Sequence, residues 1–302
     1  MSEENIAIER NLVYKDTGFE KLTADVYRPI KGDQLPAVIL VHGGAYQSGS
    51  KDMYREWGPI LAKYGFVTVS INYRLTTAEN ASWPGVQEDI KSAVDWLVDK
   101  ANKWGIDPMR LGVIGDSAGA HLGSLLAFET ASKASFKIQA FVGIYGIYDL
   151  TVKVTERQEM MFRRLIGKSL QEAPEEYKKA SPIDHVGKAA AMPTFVAEFL
   201  LVWGDADRVA SPQQSENFAQ RLKEAGISVE TIILPGQGHF WFNLTPGLEG
   251  GSLADFPNKE IAPRIVRFLR GKLCKPKISD ISEAHIQRLT HLQRSEKVGL
   301  KR

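Results

Sequence analysis

The chain is short of the features that would assign it elsewhere. Its 302 residues include one cysteine, Cys274, so no intramolecular disulfide can form. A reducing compartment, with the cytoplasm as the first expectation, follows from that. No apolar run approaches the roughly 20 residues that span a bilayer, so no membrane span is expected. The opening Met1-Ser2-Glu3-Glu4-Asn5 is acidic and polar, without the basic segment and apolar run of a signal peptide. Neither sign of charge dominates: 38 Lys and Arg stand against 36 Asp and Glu, a formal net charge of +2 with a pI near 8.4. That balance argues against nucleic acid or an anionic membrane as partner. Clustered Cys/His ligands and a Walker-type phosphate loop are also missing, so neither metal nor organic cofactor is expected.

What the chain does contain is ample core material, 43% hydrophobic with 25% charged residues, arranged in alternation. Asn11 to Pro29 reads as two strands around Asp16-Thr17-Gly18, a hairpin. Ala37–Val41, Phe66–Ile71, Leu111–Ile114, Ile138–Ile144, Phe199–Trp203 and Val229–Leu234 are strand-like apolar runs. Between them lie helical patterns at Asp52–Tyr64, Trp83–Trp104, Ala118–Phe128 and Pro212–Ala225, with a last one at Ile261–Leu269. Gly105-Ile106-Asp107-Pro108 is taken as a break. Such alternation implies an α/β fold: a mainly parallel central sheet flanked by helices on both faces. Residues 1–274 are expected to form one domain, with a helical, cap-like insertion at about 148–186. Residues 275–302 form a basic tail, expected to be helical, which packs on the domain or on a second subunit; a homodimer is left open.

The chemistry concentrates at Gly115-Asp116-Ser117-Ala118-Gly119, between a short strand and an apolar helix. This is the G-x-S-x-G elbow, in which a strained turn projects a serine oxygen from the sheet edge at the start of a helix. A second, independent signal is His42-Gly43-Gly44-Ala45 after the strand Ala37–Val41. Backbone N–H groups there can offset the negative charge of a tetrahedral intermediate. Sheets with such an elbow place an acid and then a histidine after the serine. His239, in the glycine-rich loop after the last strand, is the expected base. His42 precedes the serine and is read as a loop-fixing residue, and His121 as structural. Asp207, beyond the strand Phe199–Trp203, is the expected acid, with Asp205 closing the turn.

Together with Ile71-Asn72-Tyr73-Arg74-Leu75 and Trp104-Gly105-Ile106-Asp107-Pro108, these segments resemble the hormone-sensitive-lipase-like and feruloyl-esterase-like branches of the α/β-hydrolase family. The resemblance covers roughly Leu22 to Arg270. It implies an α/β-hydrolase fold, a catalytic triad of Ser117, Asp207 and His239, and an oxyanion hole made by the N–H groups of Gly44, Ala45 and Ala118. It further implies cleavage of a small or aryl carboxylic ester through an acyl-enzyme, the partner being a small acyl compound. Two departures stand out. Ala45 replaces the third glycine of the lipase-type loop, and Thr194 to Glu198 intervenes before the strand that leads to the acid. Tyr46 and Trp241 are the expected substrate-binding aromatics, with Trp83, Tyr145 and Phe242 beside the same loops. Three rival readings stay open: an arylformamidase resembling kynurenine formamidase, an acyltransferase, and a non-catalytic binding protein of the same fold.

Overall fold

The computed structural model describes residues 5–244 and 251–274. The hairpin is β1 (Ile6–Asp16) and β2 (Lys21–Pro29), paired antiparallel. Then follow β3 (Leu35–Val41), a 3₁₀ turn at Lys51–Tyr54, α1 (Trp57–Lys63) and β4 (Val67–Ile71). Next come α2 (Gly85–Asp99), the short α3 (Ala101–Trp104), β5 (Ile106–Asp116), α4 (Ala118–Glu129) and β6 (Ile138–Ile144). Three helices, α5 (Glu156–Ile166), α6 (Pro174–Lys179) and α7 (Pro182–Ala190), precede β7 (Glu198–Gly204). The order closes with α8 (Pro212–Glu224), β8 (Val229–Leu234) and α9 (Asn258–Leu273).

The strands form one eight-stranded sheet in the order β1-β2-β4-β3-β5-β6-β7-β8. β2 runs antiparallel to β4, and every pairing from β4 onward is parallel. This is the α/β-hydrolase architecture. Strand β4 is buried at every position, as a strand covered on both faces must be. Alternation along β5 shows the cover directly. A Cβ on Gly112 would meet Leu273 and Leu269 of α9, while a Cβ on Gly123 of α4 would meet Val113. Gly112 and Val113 point to opposite faces, so α4 and α9 pack on opposite sides of the sheet. Helix α4 is buried all round to Phe128, which fits its almost wholly apolar sequence.

Three elements differ from the expectation. The pattern at 52–64 divides into the 3₁₀ turn and α1, and that at 83–104 into α2 and α3. Strand β5 begins at Ile106, inside the segment read as a break, because Ile106 pairs with Leu35 of β3. The basic tail 275–302 lies outside the described residues. No helix among the described residues is long and apolar enough to cross a membrane.

Candidate active site

Three loops at the carboxyl ends of parallel strands converge: one after β5 carries Ser117, one after β7 carries Asp207, and one after β8 carries His239. Ser117 has φ 51° and ψ −118°, the strained corner an elbow needs. The elbow closes because Gly119 lacks a side chain: a Cβ there would stand 1.9 Å from the Val41 carbonyl oxygen. His239 Nε2 lies 3.1 Å from Ser117 Oγ, and its Nδ1 lies 2.6 Å from Asp207 Oδ2. The other carboxylate oxygen of Asp207 accepts from the N–H groups of Val209 and Ala210 at 2.8 and 3.0 Å. Asp205 instead accepts from Gly236 N–H at 2.6 Å, closing the turn. The ring of Tyr145 lies 4.2 Å from that of His239, centroid to centroid, and walls it from one side.

The loop after β3 brings Gly44 and Ala45 beside the serine, with φ of 111° and 53°. At Gly44 a Cβ would meet the Ser48 carbonyl oxygen at 2.1 Å, so only glycine fits. Among the described residues, the N–H groups of Gly44, Ala45 and Ala118 donate to no acceptor within the chain. The Ala118 N–H opens α4, where a helix leaves its donors unpaired.

Beneath the serine, Asp116 Oδ1 accepts three hydrogen bonds: from Gly43 N–H (3.0 Å), the Tyr54 hydroxyl (2.7 Å) and Asn243 Nδ2 (2.8 Å). Burial pushes its carboxyl up to about 6, against the pull of these donors and of His239. Neither Asn243 nor Tyr54 was singled out from sequence. Their signal is spatial only, since both reach Asp116 from distant loops.

His42 and His121 serve the scaffold. His42 is buried, its Nδ1 2.7 Å from the Gly43 carbonyl and its ring stacked 4.2 Å from Tyr73. Burial lowers it to about 4. His121 is also lowered to about 4 by burial. Its Nε2 meets the Ala180 carbonyl at 2.5 Å, so that nitrogen carries the proton and Nδ1 accepts from the Tyr46 hydroxyl at 3.0 Å.

That contact corrects one expectation. Tyr46 is wholly buried on His121 and does not line the cavity above the serine. The positive φ of Ala45 and Tyr46, 53° and 64°, turns the side chain inward. Trp241 is likewise absent from the wall; it stands edge-on behind Tyr145, ring centroids 5.3 Å apart. Phe242 stacks on Trp57, and Trp83 donates to Glu176. Of the five aromatics considered, Tyr145 alone faces the cavity. The cavity holds about 450 Å³, and its apolar wall comes from Met53, Ile147, Met160, Met161, Val209 and Phe240. Among the described residues no group of three or more His, Cys, Asp or Glu could hold a metal.

The BD-FAE family model matches residues 24–222, from the hairpin to α8. The chain belongs to the BD-FAE family. Esterase LipC of Mycobacterium tuberculosis is 31% identical over 262 residues, covering 81% of this chain and 62% of the relative. The probable isoprenylcysteine alpha-carbonyl methylesterase ICMEL2 of Arabidopsis thaliana is 29% identical over 263 residues, covering 81% and 60%. This BD-FAE member thus spans about three fifths of the length of these curated relatives. Among solved structures, the thermophilic esterase Est2 of Thermogutta terrifontis matches with a TM-score of 0.68 at 23% identity, covering 91% of this chain and 96% of that one.

Proposed function

We propose that this BD-FAE member is a serine hydrolase that cleaves a small carboxylic ester through an acyl-enzyme. Ser117 is the nucleophile, His239 the base and then the acid, and Asp207 the group that holds the imidazole. The observation that carries this reading is the single imidazole bridging Ser117 Oγ at 3.1 Å and Asp207 Oδ2 at 2.6 Å. Esterases among the relatives support the ester as the bond cleaved. They lend no support to the arylformamide.

In the reaction, Ser117 Oγ attacks the acyl carbon as His239 Nε2 takes its proton. The carbonyl oxygen becomes an oxyanion facing the N–H groups of Gly44, Ala45 and Ala118, each such donor contributing about 3 kcal/mol to barrier lowering. The leaving alcohol takes the proton from His239. Water then attacks the acyl carbon as its proton passes to the same nitrogen; the bond to Ser117 Oγ breaks, Oγ takes the proton back from His239, and the acid leaves. Burial of His239 and Asp207, whose side chains are 2% and 0% exposed, keeps this charge pair from being screened by solvent. The same reading places the enzyme in the cytoplasm, supported by its single cysteine.

The test is hydrolysis of a panel of acetyl, butyryl and aryl esters, together with labelling by a fluorophosphonate. Wild-type protein is expected to turn over at least one ester and to label at Ser117. Ser117→Ala is expected to do neither. Wild-type protein that fails to label and hydrolyses nothing would overturn the assignment in favour of a binding role.

A further inference from the structure

The wall of the cavity carries an excess of cations that the ester chemistry does not use. Arg157, Arg164 and Arg208 all line it. Arg157 and Arg164 lie seven residues apart on α5, with Met160 and Met161 between them. Positions i, i+3, i+4 and i+7 form one stripe on a helix, so this stripe faces the cavity while Phe162 and Leu165 of the same helix are buried in the core. Arg208 arrives on the loop that carries Asp207, which α5 touches where Gln158 Nε2 donates to the Val209 carbonyl at 2.8 Å.

None of the three forms an ion pair with a carboxylate among the described residues. Among the described residues Arg164 donates only to the neutral Gln47 Oε1, at 3.0 Å. Among the described residues the one acid in the wall is Asp116, buried under the serine with Oδ1 already accepting three bonds. Asp207, beside Arg208, is committed to His239 and to two backbone N–H groups. Arg10, Arg28, Arg74 and Arg110 do pair with carboxylates here. Three left without one around a single reaction cavity leave its field positive, and a cleft walled by one sign of charge concentrates ligands of the other.

Building on the serine-hydrolase reading, we propose that the preferred substrate carries a carboxylate remote from the ester, clamped by Arg157, Arg164 and Arg208, with its apolar middle against Met160 and Met161. The planar guanidinium fork matches a carboxylate in two parallel hydrogen bonds. An exposed pair of this kind contributes up to about fivefold in affinity, so two or three acting together give about tenfold or more.

The experiment uses matched substrates that differ only in charge. One pair carries the carboxylate on the acyl side: mono-4-nitrophenyl glutarate against its terminal carboxamide. The other carries it on the leaving group: 4-carboxyphenyl butyrate against 4-carbamoylphenyl butyrate. Comparing the acid-to-amide ratio of kcat/KM between proteins cancels intrinsic reactivity. For one pair the ratio is expected to fall about tenfold in the triple variant Arg157→Gln, Arg164→Gln, Arg208→Gln, and to shrink in wild type when salt is raised. The pair that responds identifies the side of the ester that bears the charge. Arg163→Gln removes the same charge from α5 outside the cavity wall and is expected to leave both ratios within twofold of wild type. Ratios unchanged within twofold by the triple variant in both pairs, or shifted equally by Arg163→Gln, would overturn the subsite. Ser117→Ala tests the parent reading separately, on the neutral esters alone. Should that variant hydrolyse them normally, the hydrolase reading fails, and the subsite is then decided by calorimetric titration of glutarate against glutaramide. Binding of the dianion that is tighter in wild type than in the triple variant keeps it; equal binding removes it.

Discussion

Asn243 Nδ2 donates to Asp116 Oδ1 at 2.8 Å, joining the loop that carries His239 to the residue immediately before Ser117. The same oxygen accepts from Gly43 N–H and from the Tyr54 hydroxyl. One buried carboxylate therefore registers the elbow, the glycine loop and the histidine loop against each other. Removing the Asn243 amide leaves a buried charged acceptor short of one donor, a loss of about 1.5–3 kcal/mol. Asn243→Ala is expected to lose about that much stability by denaturant unfolding, and its kcat is expected to fall more than its KM rises. A variant with unchanged kcat would show that His239 does not depend on this tie.

The titration of Asp116 has a sign that can be checked. Its carboxyl is about 6 in the fold against 3.8 when free. The group therefore stabilises the fold fully below about 3.8, and that contribution is lost as pH rises through about 6. The difference is on the order of 3 kcal/mol. His42 and His121 act the other way: each is about 4 in the fold against 6.5 when free, so their stabilisation is complete above 6.5 and is lost as pH falls toward 4. Asp116→Asn removes the first contribution and keeps the other two. Its unfolding free energy is expected to drop more steeply than that of wild type between pH 6 and pH 4, measured by chemical denaturation at several pH values. Parallel curves would contradict the burial of that charge.

Gly44 tests the backbone donors. Alanine at a φ of 111°, with its Cβ 2.1 Å from the Ser48 carbonyl oxygen, must displace the loop that presents the Gly44 and Ala45 N–H groups. Loss of one oxyanion donor costs about 10²–10³ in kcat. Gly44→Ala is expected to fall in that range while fluorophosphonate still reaches Ser117. Retention of more than half of the wild-type kcat would place the oxyanion elsewhere.

Much of this arrangement was legible because the fold repeats one rule. Ser117, Asp207 and His239 each follow the carboxyl end of a parallel strand, and an apolar run ending in glycine and a polar residue marks each place. What remained hidden depended on backbone direction or on distant partners. Tyr46 sits beside the glycine loop in sequence, yet two consecutive positive φ angles aim it at His121. Ile106 follows Gly105 and precedes Asp107-Pro108, a string that reads as a turn, yet pairing with Leu35 makes it strand. The convergence of Asn243, Tyr54 and Gly43 on Asp116 spans up to 200 residues of chain without any local pattern. The cationic wall was missed for a similar reason. Arg157 and Arg164 were not singled out within the helical insertion, and it is the packing of Phe162 and Leu165 that turns their face of α5 toward the cavity.

The two aspartates after β7 offer the sharpest contrast, because they are two residues apart and differ in what each oxygen does. In Asp207→Asn the amide oxygen can still accept from Val209 and Ala210 N–H, so the loop keeps its shape. Its amide nitrogen then faces His239 Nδ1, where a carboxylate oxygen stood at 2.6 Å. A donor at that position forces Nδ1 to be the acceptor and puts the proton on Nε2, the nitrogen that must take it from Ser117. The expected result is a fall in kcat of about 10⁴ with little change in melting temperature. Asp205→Asn leaves the imidazole untouched, because among the described residues the Asp205 side chain meets only the Gly236 N–H. Its effect is expected to be a modest loss of stability, about 1 kcal/mol, with kcat within a few fold of wild type. Equal losses of kcat in the two variants would mean that the imidazole takes its orientation from the loop as a whole and not from the carboxylate of Asp207.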